Sequence, residues 1–240
     1  MKFTNIILMA GALLISAAAA HIFFKAADED PVEQALVLYQ SKLDDTVKQA
    51  TSGDVRAQHM AGELLRNAKK PIQNYSAAIK WYRKAAERGY SRSQFELGRM
   101  YAEGLGVRKN YARAADWFRL AANLSRHTGA QLALGDLYFH GRGVPSSYGV
   151  AIEWYSKAAN QGDVAAQFIL GQINKEGWGT DKNLIEAYKW ISLSQRDIAK
   201  VLAHNERNDP KRVLAELKKQ MHRSQIRLAE KALKAWKPKR

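Results

Sequence analysis

The side chains best suited to metal ligation or general-base work are six histidines, His21, His59, His127, His140, His204 and His222. None stands four residues from another and no His-Glu-x-x-His run occurs, so no helix turn offers a paired zinc site. Three Gly-x-Gly triplets, Gly104-Leu105-Gly106, Gly141-Arg142-Gly143 and Gly177-Trp178-Gly179, could in principle cradle phosphate on backbone N–H groups. None continues into Gly-x-x-x-x-Gly-Lys-Ser/Thr and none follows a strand pattern, so they read as turns. There is no Gly-x-Ser-x-Gly elbow, and the absence of cysteine removes thiolate nucleophiles, thiolate metal sites and disulfides. The acidic runs Asp28-Glu29-Asp30 and Asp44-Asp45 read as solvated charge. The sequence therefore predicts no catalytic residue, no metal site and no cofactor.

What remains must be chemistry of surfaces. The chain carries 38 Lys and Arg against 23 Asp and Glu, a net charge of +15, of which residues 197–240 hold +8 and residues 53–196 hold +9. Lys218, Lys219, Arg223, Arg227, Lys231 and Lys234 fall on one side of an amphipathic pattern and form a candidate basic face. Such a face suits an anionic lipid surface, an acidic polymer or an acidic protein. No nucleic-acid motif accompanies it, and no nucleic-acid partner is expected. At the other end, a short positive start precedes an apolar stretch over 6–24, with Ala18-Ala19-Ala20 fitting a cleavage rule. Residues 1–27 are expected to be a signal peptide region, with cleavage after Ala20. Alternatively they are a retained anchor, since 19 helical residues span about 28 Å. Both readings put the body on the non-cytoplasmic side, in the periplasm, tethered to the inner membrane in the second case.

The elements behind these surfaces are written in a period of 36 to 37 residues. Trp81, Trp117, Trp154 and Trp190 keep it, as do Gly62, Gly98, Gly135 and Gly171, and Gln58, Gln94, Gln131 and Gln167. Three residue types in one register mean a repeat array. In each unit an apolar stripe such as Ser93, Leu97, Gly98 and Tyr101 predicts a first helix, broken by the glycine triplet. A second helix starts near Asn110, Ser147 or Asn183, residues that cap by accepting from free N–H groups. The glycine inside each first helix costs about 1 kcal/mol relative to alanine, so a close-passing neighbour is expected there.

The run Ala130-Gln131-Leu132-Ala133-Leu134-Gly135-Asp136-Leu137-Tyr138, Gly141-Arg142-Gly143-Val144, then Ala151 and Trp154-Tyr155 to Ala158-Ala159, resembles the Sel-one-like repeat (SLR), a relative of the tetratricopeptide repeat. The resemblance implies an all-α, right-handed α-solenoid of helix-turn-helix repeats with helical caps. Its expected divisions are an N-terminal capping helix in 28–52, repeats at about 53–90, 91–127, 128–162 and 163–196, and a basic helical cap in 197–240. The second unit departs from the pattern at its terminal glycine, the first in its turn (Asn67-Ala68-Lys69-Lys70), and the fourth at its tyrosine and Ala-Ala pair. Members of this family that act on β-lactams carry cysteines in each repeat, so that activity is not transferred here. A hydrolase of cell-wall or β-lactam substrates ranks below both binding readings.

The resemblance further implies an interaction scaffold of the bacterial envelope whose first helices line a concave surface. By analogy with tetratricopeptide packing, that surface is assigned to Arg56, His59, Glu63 and Arg66, then Arg92, Phe95, Arg99 and Glu103. It continues through Leu132, Asp136, Phe139 and His140 to Phe168, Gln172, Lys175 and Glu176. Its expected partner is another envelope protein or a peptide segment; the alternative is the anionic polymer or membrane that suits the basic face.

Overall fold

The computed structural model describes residues 31–124, 126–204, 207 and 209–238, so the export or anchor segment lies outside the described residues. Every regular element among them is helical. The chain divides into two units, Met1–Asp45 and Thr46–Arg240. The first contributes the start of α1 (Pro31–Thr51), where Gln40 donates to Asp44 at 2.8 Å and Val32, Val37 and Leu38 stand exposed. Among the described residues, no helix is long and apolar enough to cross a membrane.

The second unit is an α-solenoid built from four helix pairs. These are α2 (Val55–Asn67) with α3 (Tyr75–Glu87), α4 (Ser91–Glu103) with α5 (Tyr111–Leu124), α6 (Thr128–His140) with α7 (Tyr148–Asn160), and α8 (Val164–Glu176) with α9 (Leu184–Ser194). Second helices begin where Asn74, Asn110, Ser147 and Asn183 accept from backbone N–H groups three residues on. The glycine in each first helix faces a large side chain. An added Cβ would lie 2.7 Å from the Tyr82 ring at Gly62, 2.4 Å from Phe118 at Gly98, 2.4 Å from Tyr155 at Gly135 and 2.4 Å from Ile191 at Gly171. The period in glycine thus answers a period in the residue after each tryptophan. Burying one such side chain is worth about 1.5–3 kcal/mol, which offsets the helix cost of glycine.

The periodic glutamine joins neighbouring units. Gln58, Gln94, Gln131 and Gln167 donate through Nε2 to the carbonyls of Ala50, Ala86, Ala122 and Ala159 at 3.2, 3.1, 3.5 and 3.0 Å. Each carbonyl belongs to the last turn of the preceding second helix, where no intrahelical donor remains. α1 takes the part of a second helix for the first repeat, through Ala50.

A second junction is made by the glycine triplets. Gly104, Gly141 and Gly177 close their helices in the left-handed region, while Gly106, Gly143 and Gly179 press on the helix starts at Tyr75, Tyr111 and Tyr148. The second repeat ends without glycine, and Arg126 takes the left-handed conformation instead, at φ +51°. Gly53, Gly89 and Gly162 occupy the matching position in the other units. A side chain costs roughly 1–2 kcal/mol there. Arg126→Gly is accordingly expected to raise Tm by about 2–8 °C, read in a thermal melt.

After a short 3₁₀ turn, α10 (Ile198–His204), α11 (Pro210–Gln220) and α12 (Arg223–Ala235) cover the last repeat. Val201, Val213, Leu217 and Ala229 pack onto Val164, Phe168, Tyr188 and Ile191. Trp236 meets Trp190 edge-on at 6.3 Å between ring centroids. The apolar face of the fourth repeat is thereby closed.

Candidate interaction groove along the first helices

The groove starts from polar pairs on α2 and α4. Arg66 is ion-paired with Glu96, and their side chains are only 16% and 13% exposed. Burial pushes the Glu96 carboxyl above its ordinary range, against the pull of Arg66 and Arg99. Arg99 reaches Glu96 at 3.8 Å and Glu103 at 3.0 Å. His59, assigned to the surface by its spacing, is instead buried. It contacts Ser93 at 3.0 Å and sits beside the rings of Tyr82 and Tyr90. Burial holds its imidazole below the usual histidine range.

Two clefts follow along α4, α6 and α8. One, of about 370 Å³, is lined by Phe95, Arg99, Ala102, Glu103, Leu132 and Ala133 among others. The next, of about 400 Å³, is lined by Phe139, His140, Tyr155, Phe168, Ile169, Gln172 and Trp178. Asp136, Arg142 and His204 belong to both, so the clefts adjoin across these three side chains. Asp136 is committed on both oxygens. Tyr155 donates to Oδ1 at 2.8 Å, and His204 Nε2 stands 3.6 Å from Oδ2. Desolvation, then the Asp136 charge, raise the tyrosine well above its ordinary value, whereas the contact with Asp136 raises the His204 imidazole.

The sign of this contact follows from that shift. A histidine raised in the folded state adds stability below its unfolded value, and the contribution is lost as pH rises through the folded value. His204 is therefore expected to titrate above 6.5 in a two-dimensional NMR titration, and Asp136→Asn to bring it down. An unmoved midpoint would remove Asp136 as the cause.

Of the residues assigned to the concave surface, Phe95, Arg99, Glu103, Leu132, Asp136, Phe139, His140, Phe168 and Gln172 line these clefts. Phe168 is 1% exposed and forms floor rather than surface, because the cap residues Val201, Val213 and Leu217 cluster with it. Arg56 and Arg92 are exposed away from both clefts, Glu63 stands beside His59, and Lys175 pairs with Glu176 at 2.6 Å. His59 and Arg66 leave the surface set because each is buried against partners. Sequence spacing missed Arg142, Trp178, Tyr155 and His204. The first two are middle residues of glycine triplets, a position the turn geometry turns outward. His204 arrives from the cap and has no place in the repeat register.

The basic face also exists as a structural feature. Lys218, Lys219, Arg223, Arg227, Lys231 and Lys234 are all exposed, and none forms an ion pair among the described residues. Lys218 lies 5.5 Å from the Tyr188 ring centroid.

Comparison with known proteins gives one family. The Sel1 repeat profile matches residues 55–90, 91–125, 128–163 and 164–194. The chain is similar to the crystal structure of c5321, a protective antigen of uropathogenic Escherichia coli strains displaying an SLR fold. That similarity has 38% identity and a TM-score of 0.62 over 64% of this chain. The chain spans only 33% of that protein's length. A Sel1 repeat protein from Oxalobacter formigenes is similar at 28% identity and a TM-score of 0.56, covering 76% of this chain and 71% of the other. No curated protein matches.

Proposed function

The chain belongs to the Sel1 repeat family, and we propose that it is a non-enzymatic adaptor of the bacterial envelope that holds a partner protein along α4, α6 and α8. Sel1 repeats are generally protein-interaction scaffolds. The observation that carries the reading is the pair of adjoining clefts. Aromatic, aliphatic and arginine side chains line them together, the composition that binding hot spots favour. Residues 1–27 support an exported protein, by signal peptide or by anchor, whose repeats work in the periplasm.

A cross-linked pull-down of the exported protein from intact envelopes tests this proposal. One or two discrete proteins retained through a high-salt wash, and lost with Trp178→Ala, are the expected result. Retention unaffected by Trp178→Ala would contradict the groove. A second reading, binding of an anionic membrane or envelope polymer, rests on the six exposed basic side chains of α11 and α12. It requires capture that disappears above about 0.5 M salt, where charge interactions are screened within a few ångströms.

A further inference from the structure

We infer that the cleft between α6, α8 and α10 takes an acidic peptide segment, in which an aromatic or aliphatic side chain stands next to Asp or Glu. This rests on the groove reading above and specifies the chemistry of its occupant. Phe139 and Trp178 give the cleft an open aromatic wall, with Tyr148 beside Phe139. Phe139 packs at 5.0 Å from Tyr148 and 5.7 Å from Trp178, while Tyr148 and Trp178 remain 45% and 44% exposed. Aromatic surface left open at a concave site marks a contact for an apolar side chain. Its neighbour across the Asp136–His204 contact is also floored by apolar groups, Phe95, Leu132 and Ala133.

Asp136 accepts from Tyr155 on one oxygen and faces His204 with the other, so both oxygens of the cleft's acid are already engaged. Arg142 is exposed and has no carboxylate in ion-pair range among the described residues; its contact is the Tyr111 ring at 5.9 Å. The uncommitted charge is positive and invites a carboxylate. Gln172 lines the same cleft, and its Oε1 is buried without a donor. Rotating that amide about its terminal torsion offers the acceptor to a backbone N–H, which a bound peptide supplies at every residue. A glycan could also stack on the aromatic wall. It would need several acceptors for its hydroxyls, and with Asp136 committed the cleft offers few.

The test pans a phage-displayed random 12-residue library against the full chain, with selected peptides synthesised and titrated by fluorescence polarisation. The expected result is enrichment of Phe, Trp or Leu adjacent to Asp or Glu. Affinity should fall at least tenfold with Trp178→Ala, and Arg142→Gln should flatten its salt dependence, at unchanged far-ultraviolet helicity. Basic or uncharged consensus peptides that still depend on Trp178 would overturn the acidic chemistry and leave the groove reading standing. Binding indifferent to Trp178 and Arg142 would overturn both. A library yielding no binder, with chitooligosaccharide bound instead in a Trp178-dependent manner, would overturn the peptide and assign the cleft to glycan. Absence of both would overturn the inference.

Discussion

A Gly143→Ala protein is expected to melt about 6–12 °C below the parent, with near-parental helicity at low temperature. The reason is local and steric. Gly143 has φ +70°, and a Cβ there would sit 2.4 Å from Ala112 N and from the Tyr111 carbonyl carbon. Both are backbone atoms at the start of α5, so no rotamer can yield. The left-handed conformation costs an alanine roughly 1–2 kcal/mol and the overlap a further 1–3, about 3 kcal/mol in the middle of that range. In a solenoid this loss falls on an interface between neighbouring repeats, the step that makes the array cooperative. Gly149→Ala is the control, since nothing lies within 4 Å of its added Cβ. It should melt at or slightly above the parent. A Gly143→Ala protein as stable as the Gly149→Ala protein would refute the junction assigned to the glycine triplets.

Arg66→Glu carries the second large effect. From its position on a first helix Arg66 could be taken for a ligand-binding side chain, and its reversal for a clean binding mutation. The structure argues otherwise, because Arg66 and Glu96 are both mostly buried and neutralise one another. Removing one member of such a pair strands the other charge, at about 3–5 kcal/mol, and reversal adds repulsion between two carboxylates. The variant should be largely unfolded well below the parental Tm, and the exchange Arg66→Glu with Glu96→Arg should recover part of the loss. Arg99→Glu breaks an exposed pair with Glu103 and a longer contact, 3.8 Å, with Glu96, which Arg66 still holds, so its cost should stay well below that of Arg66→Glu. Arg99 is therefore the usable probe of binding on this helix. Equal melting curves for Arg66→Glu and Arg99→Glu would show that burial of the first pair is inconsequential.

Much of the fold is legible because the repeat writes its contacts three or four times. Gly135 and Tyr155, like the other glycine pairs, stand twenty residues apart, and the glutamines recur in one register although Gln131 reaches back nine residues where the others reach eight. The spacing could not say what the glycines meet. The spacing predicts only a close-passing neighbour, and the side chain after each tryptophan is that neighbour. The groove is harder to read because binding surfaces are where repeats differ. Trp178 replaces Leu105 and Arg142 at the middle of its triplet, and only the folded chain puts it against Phe139. His204 lies outside the period, so its meeting with Asp136 depends on how α10 returns over the array. Conversely, His59 and Phe168 occupy surface-like register positions yet are buried. Spacing defines a helix face, while the neighbouring repeat or cap decides whether that face stays open.

The most direct measurement of the central claim is site-specific photocross-linking in living cells. A photoreactive amino acid replaces Leu132 or Trp178 in the clefts, or exposed Lys80 or Glu153 on the second helices. The account predicts discrete protein adducts from the first two positions and none from the last two. Adducts confined to Lys80 and Glu153 would contradict it, placing the interaction surface on the opposite helices.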